Sequence, residues 1–251
     1  MNSWAQKRRL IYGVAVVVFL LVVIGLPLWK VFYKAPTCFD GAQNGKESGI
    51  DCGGSCVKLC ASAFLSPVNT WTRFEEAAPG YYNVAAYVIN PNTDGEAFGA
   101  PYHMELYDKS GMLITEYEST FDLPPNRNTL AFKALVKVGQ RIPAKAVFRF
   151  SGTPDWHKAT DRVKSIIVLD TSYKEESNSS SLSVTLKNND VVSMGKLAIY
   201  AILFNKDGNA VGFSSTRLDG IKAGGTIVAP FTWPVSRKGA VISIEVLPVA
   251  E

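Results

Sequence analysis

The sequence predicts a mainly β protein with an N-terminal transmembrane helix, a short disulfide-rich segment and two tandem β-sandwiches of immunoglobulin or fibronectin III type. Three observations carry this prediction. An apolar run of bilayer length lies near the start, all four cysteines fall between residues 38 and 60, and the remainder repeats one strand-and-turn pattern twice.

Residues 10 to 29, LIYGVAVVVFLLVVIGLPLW, carry no charged side chain. At 1.5 Å of rise per residue they make about 30 Å of helix, the thickness of a bilayer core. Lys7, Arg8 and Arg9 precede the run. Trp4 and Tyr12 lie near one end, and Trp29, Phe32 and Tyr33 near the other, where aromatic rings favour the headgroup zone. The competing reading is a cleaved signal peptide, which has a shorter apolar core and a small-residue cleavage site. Gly25-Leu26-Pro27-Leu28-Trp29-Lys30 offers no such site. The expected organisation is a cytoplasmic tail (1–9), a single-pass signal anchor in the cell membrane (10–33), and all later residues on the extracytoplasmic side. Lys30 and Lys34 narrow the charge bias that sets this orientation.

The net charge is +4, and the basic residues after the anchor are scattered, which excludes a nucleic-acid partner from the expectations. The two histidines, His103 and His157, have no partner at ligand spacing and read as ordinary strand or loop residues.

The repeat is seen best in "HMELYDKSGMLI" (His103 to Ile114) and "YAILFNKDGNAV" (Tyr200 to Val211). Each is an apolar strand, a polar turn containing glycine and a second strand, the chemistry of a β-hairpin. Upstream, "YNVAAYVINPN" matches "SLSVTLKNND", each ending in an asparagine turn. Downstream, a turn leads to a strand carrying Phe132 in one copy and Phe231 in the other. With entry strands at Trp71–Phe74 and "SIIVLD", each copy has about seven short strands. Alternating strands need a second sheet against their apolar face, so each copy should be a sandwich. The expected sandwiches are residues 62–153 and 163–251, joined through "SGTPDWHKATDR"; "ESNSSSLS" is placed inside the second copy, after its first strand.

The "ELYDKSG" hairpin and the following "LPPN" and "LAF" resemble the FxLYD family of bacterial extracytoplasmic domains, small Ig-like sandwiches. The resemblance covers about 70 residues of the first copy and is looser in the second, where Phe204-Asn205 stands for Tyr107-Asp108. Asp108 and Asn205 are expected to cap their own turns.

The cysteines allow three chemistries. A structural zinc site would use thiolate pairs in two knuckles, and a redox centre would show Cys-x-x-Cys on a βαβ pattern. An even count in an oxidising compartment, within a segment too short for its own core, favours two disulfides among Cys38, Cys52, Cys56 and Cys60, with the three pairings open. Asp40, Asn44, Glu47 and Asp51 add a second question, since three carboxylates and an amide in a glycine-rich window suit calcium. Their spacing is not that of an EF-hand, and Lys46 and Lys58 offset two of the three negative charges, which favours the alternative that they cap turns. The segment resembles a bacterial juxtamembrane motif, C-x-D-G-x-x-N-G-x-E-x-G-x-D-C-G-G-x-C, found beside membrane anchors and surface domains. The match holds at Cys38, Gly41, Asn44, Gly45, Glu47, Gly49, Asp51, Cys52, Gly53, Gly54 and Cys56. The motif implies no function of its own.

No nucleophile elbow, zinc-protease helix or phosphate loop is present, and no catalytic residue or certain cofactor is assigned; calcium is the one candidate ion. The expected function is a non-enzymatic, membrane-anchored binding or adhesion protein whose Ig-like domains meet a protein partner, or each other's copies, through sandwich edges or loops. The alternative is a structural subunit of an envelope or secretion assembly.

Overall fold

The computed structural model describes residues 3–160, 162–234, 236 and 239–250. It divides into two compact units, Met1–Cys56 and Val57–Glu251. In the first unit, helix α1 (Ser3–Phe32) contains a stretch, Gln6–Lys30, long and apolar enough to cross a membrane, as a single-pass anchor or a signal sequence would. Pro27 sits inside it near the C-terminal end.

Among its described residues the second unit is all β apart from one short 3-10 turn at Ala61–Ala63. Its first half contributes β1 (Val68–Ala78), β2 (Tyr81–Ile89), β3 (Gly95–Tyr107), β4 (Leu113–Leu123), β5 (Asn128–Lys137), β6 (Lys145–Phe150) and β7 (Trp156–Lys158). Its second half contributes β8 (Ile166–Glu175), β9 (Ser180–Asn188), β10 (Leu197–Phe204), β11 (Ala210–Leu218), β12 (Thr226–Trp233) and β13 (Ser243–Ala250). The first half folds as sheets β1-β2-β5 and β4-β3-β6, with β7 added to β3, and the second as β8-β9-β12 and β11-β10-β13. The two topologies are the same, so the repeat in the sequence is a repeat in the fold. The serine-rich stretch forms the loop after β8 and runs into the start of β9.

Each copy has its own core between its two sheets. Val84, Ala86, Val88, Tyr102, Met104, Leu106 and Phe148 fill the first; Leu182, Val184, Leu186, Ile199, Leu203, Phe231 and Trp233 fill the second. A third apolar cluster lies between the copies: Ala85, Tyr87 and Leu130 from β2 and β5 meet Ile202, Phe213 and Leu247 from β10, β11 and β13. The four sheets are therefore stacked face on face, and the two middle sheets are buried on both sides. This explains why β2 reads YYNVAAYVI and β10 reads LAIYAILF, near-continuous apolar runs. A strand covered on both faces has no polar face to alternate with.

The packing between copies is heterologous. The first copy uses its β1-β2-β5 sheet and the second uses β11-β10-β13, which in the first copy corresponds to β4-β3-β6. Pairing registers place Ala85, Tyr87, Leu130 and Phe132 at the positions of Ser183, Thr185, Val228 and Pro230. Phe132 thus corresponds to Pro230 and not to Phe231, as the sequence alignment had it. Phe132 packs at the contact between copies and Phe231 in the core of its own sandwich. A one-residue slip along a strand moves a side chain to the other face. Polar contacts rim the apolar patch: Arg73 Nη2 donates to Asn209 Oδ1 (2.7 Å), Tyr87 Oη to Glu245 Oε1 (2.8 Å) and Asn128 Nδ2 to Glu245 Oε1 (3.2 Å). Burial and the Glu245 carboxylate together raise the Tyr87 phenol above its ordinary value, so it stays a donor.

Each asparagine turn is a buried bracket. Asn90, fully buried, donates through Nδ2 to the Gly95 and Pro124 carbonyls (2.9 Å each) and accepts from Asn92 N (3.1 Å). Asn188, fully buried, donates to the Val192 (2.8 Å) and Ile221 (3.3 Å) carbonyls and accepts from Asp190 N (3.0 Å). Removing one partner leaves the others desolvated, so Asn90→Ala and Asn188→Ala should each cost about 2–3 kcal/mol. The check is the free energy from urea unfolding; a loss below about 0.5 kcal/mol in either variant would refute the bracket role.

Candidate functional site

All four cysteines are disulfide-bonded, and Cys38 pairs with Cys56. Oxidised sulfurs offer no thiolates, which removes the zinc-knuckle reading. Around the Cys38–Cys56 bridge the glycines make tight turns, and a Cβ on Gly54 would lie 1.6 Å from the Lys46 carbonyl oxygen.

The four residues singled out for calcium lie in this loop; the carboxylates of Asp40 and Asp51 and one oxygen of Glu47 face N–H groups, whereas Asn44 Oδ1 is buried without a hydrogen-bond partner. Asp51 Oδ1 accepts from Asp40 N (2.9 Å) and Gly41 N (3.1 Å), and Asp51 Oδ2 accepts from Gly41 N (3.0 Å). Asp40 accepts from Thr37 N (3.2 Å), Ala42 N (3.0 Å) and Asn44 Nδ2 (2.9 Å). Those bonds, led by the one from Asn44, hold the Asp40 carboxyl below its ordinary value. Glu47 Oε2 accepts from Asn44 N (3.3 Å). This is the geometry of turn capping.

Residues after the bridge form part of the second unit. Leu59 N donates to the Trp156 carbonyl (2.7 Å), Lys158 N donates to the Val57 carbonyl (3.2 Å), and Lys58 pairs with Asp155 (3.2 Å). Phe64 stacks on Trp156 with centroids 5.0 Å apart, and Leu65 exchanges two 2.9 Å hydrogen bonds with the Asn92 side chain. The sequence places Trp156 in the stretch that joins the two sandwiches. In the structure it is buried in the first core and starts β7, which carries the first sandwich past the expected end at 153.

The Asp108 and Asn205 turns are capped as expected. Asp108 Oδ1 accepts from Ser110 N and Met112 N (3.0 Å each), and Asn205 Oδ1 accepts from Asp207 N (3.0 Å) and Asn209 N (2.9 Å). The Ser110 hydroxyl and then the Arg141 guanidinium hold the Asp108 carboxyl well below the usual range.

A charged group on the second unit surrounds His103, for which sequence spacing alone predicts no ligand partner. His103 and Glu105 project from one face of β3, and across the hairpin stand Glu118, opposite His103, and Glu116, opposite Glu105. His103 Nε2 lies 3.3 Å from Glu116 Oε2 and 3.7 Å from Glu105 Oε1, and its Nδ1 lies 3.4 Å from Glu118 Oε1. On β6, Arg149 donates to Glu105 Oε2, and the Tyr107 hydroxyl donates to the same oxygen (2.8 Å). Chiefly through Arg149, and then Tyr107, the Glu105 carboxyl is held below its ordinary value. The pattern His-x-Glu followed across a turn by Glu-x-Glu was the available signal. Reading it required the hairpin register, which a bulge between Leu106 and Tyr107 shifts.

No family model matches the chain, and no curated protein matches it. Among solved structures, red sea bream transglutaminase is 13% identical over 73% of this chain and 29% of that one, with a TM-score of 0.24. Dimeric latent PorU from Porphyromonas gingivalis is 11% identical over 75% of this chain and 19% of that one, with a TM-score of 0.24. A Bacteroides uniformis beta-glucuronidase is 11% identical over 87% of this chain and 31% of that one, with a TM-score of 0.22. The chain spans less than a third of each of these proteins, and likeness at this level carries no argument about what it does.

Proposed function

We propose that the chain is a non-enzymatic, single-pass membrane protein that holds two Ig-like sandwiches on the extracytoplasmic side and presents them to a protein partner. The observation that supports this reading best is the shared apolar cluster of Tyr87, Leu130, Ile202, Phe213 and Leu247, which joins the sandwiches into one body with a set geometry. A presenting scaffold needs that rigidity, because a surface built from two domains binds well only when their ordering has already been met on folding. The faces left outward differ: one carries Ser183 and Thr185 beside the exposed Val228 and Pro230, the other the charged group of His103, Glu116, Glu118 and Arg149. The charged face disfavours face-on stacking of further copies on the β4-β3-β6 side, which leaves it to a partner of complementary charge.

Cross-linking mass spectrometry on intact cells tests the proposal. Links from Lys109, Lys145 or Lys187 to a different protein are expected. Links only between copies of this chain would overturn the binding role in favour of the assembly.

A further inference from the structure

We propose that His103, Glu105 and Glu116 form a binding site for a divalent transition metal of the zinc class on the outward face of the β4-β3-β6 sheet, with Glu118 orienting the imidazole. This goes beyond the binding role proposed above and does not depend on it.

The donor atoms of His103, Glu105 and Glu116 all lie within 4.8 Å of one another. Two ligand atoms at about 2.1 Å from a tetrahedral zinc ion lie about 3.4 Å apart. The separations from His103 Nε2 to Glu116 Oε2 and Glu105 Oε1, 3.3 and 3.7 Å, bracket that figure. His103 Nε2 is shielded from solvent and has no hydrogen-bond partner. In the tautomer that carries its proton on Nδ1, toward Glu118, this nitrogen presents its lone pair between two carboxylate oxygens.

The surrounding groups are placed as those of a metal site are. Glu118, across the hairpin, faces Nδ1 at 3.4 Å. A carboxylate on the second nitrogen fixes the ring and raises the basicity of the first. Arg149 and Tyr107 both engage Glu105 Oε2, leaving Oε1 as the oxygen turned toward the histidine. One imidazole with two carboxylates is a mixed nitrogen and oxygen set, better suited to zinc-class ions than to calcium, which takes oxygens alone. Three protein ligands leave a fourth tetrahedral position for water or a donor from a partner.

The fold does not need this cluster. At the positions of His103, Glu105 and Glu116 the second copy carries Tyr200, Ile202 and Phe213. In the first copy Glu105 and Glu116 stand directly opposite each other, a like-charge pair that is destabilising by itself. A bound dication would convert that repulsion into shared ligation.

The test is titration of the full chain in detergent micelles with zinc chloride, followed by calorimetry, and with cobalt chloride, followed by visible absorption. One ion per chain is expected, with the d–d bands of cobalt in a low-coordinate site. Glu116→Gln, an exposed and isosteric change, should weaken binding at least tenfold, His103→Tyr should abolish it, and Glu118→Gln should weaken it about 10- to 100-fold. His157→Ala should leave it unchanged. Absence of heat at millimolar zinc would overturn the proposal. So would affinity within threefold of the parent in both Glu116→Gln and His103→Tyr, or loss of the site in His157→Ala.

Discussion

Ile202→Glu is expected to uncouple the two sandwiches while leaving each one folded. Ile202 is fully buried in the cluster between the copies, beside Tyr87, Leu130 and Phe213. Glutamate is what the first copy carries at the equivalent position, Glu105, on the outward face of its sheet, where Arg149 and Tyr107 engage the carboxylate. The strand itself therefore tolerates the residue, and the penalty falls on the contact. An unpaired carboxylate buried there, together with the lost isoleucine packing, should weaken the contact by about 3–5 kcal/mol. The parent should unfold in one transition and the variant in two, read by tryptophan fluorescence and far-ultraviolet circular dichroism on the same urea series. A single transition with an unchanged midpoint would show that the copies are not held by this cluster. Phe213→Ala, which removes packing without adding charge, should shift the same contact by about 3–5 kcal/mol.

Trp156→Ala should have the second large effect, and a local signature as well. The indole fills the first core and stacks on Phe64, and the Trp156 carbonyl accepts from Leu59 N. Truncating it removes both the core volume and the platform on which residues 57–65 rest, at about 3–5 kcal/mol. For a unit of this size that is a fall of roughly 6–20 °C in the unfolding midpoint. Trypsin should cut after Lys58 faster in the variant, because the Lys58 pairing with Asp155 and the Leu59 hydrogen bond lose their support. Trp156→Phe should keep the segment protected. Equal cleavage rates in parent and alanine variant would show that the segment is held by something else.

These expectations rest on features that the sequence exposed to different degrees. The mainly β fold, the disulfides, the apolar helix and the order of strands were legible, because turn chemistry and short-period hydrophobicity are local. The stacking of the copies was only half legible. The apolar runs in β2 and β10 signal strands covered on both faces, but nothing local says what covers them. Trp156 was hidden because a three-residue strand after a proline and glycine stretch has no period to detect. The His103 cluster depends on which residue of β4 faces which residue of β3, and a single bulge decides that. The capping roles of Asp40 and Asp51 concern backbone N–H groups up to eleven residues away in the chain, which spacing alone does not reveal.

The heterologous contact also sets a clock. The first sandwich is complete in sequence at Lys158, whereas the last strand that covers its apolar β1-β2-β5 face, β13, ends at Ala250. At ordinary rates of synthesis the intervening residues take roughly 5–20 s to appear. For that interval Trp71, Tyr87, Leu130 and Phe132 have no mate in the growing chain, and an identical neighbour at the same stage exposes the same face. The protein is most exposed to misassembly while half made, and separating its two repeats would make that interval permanent.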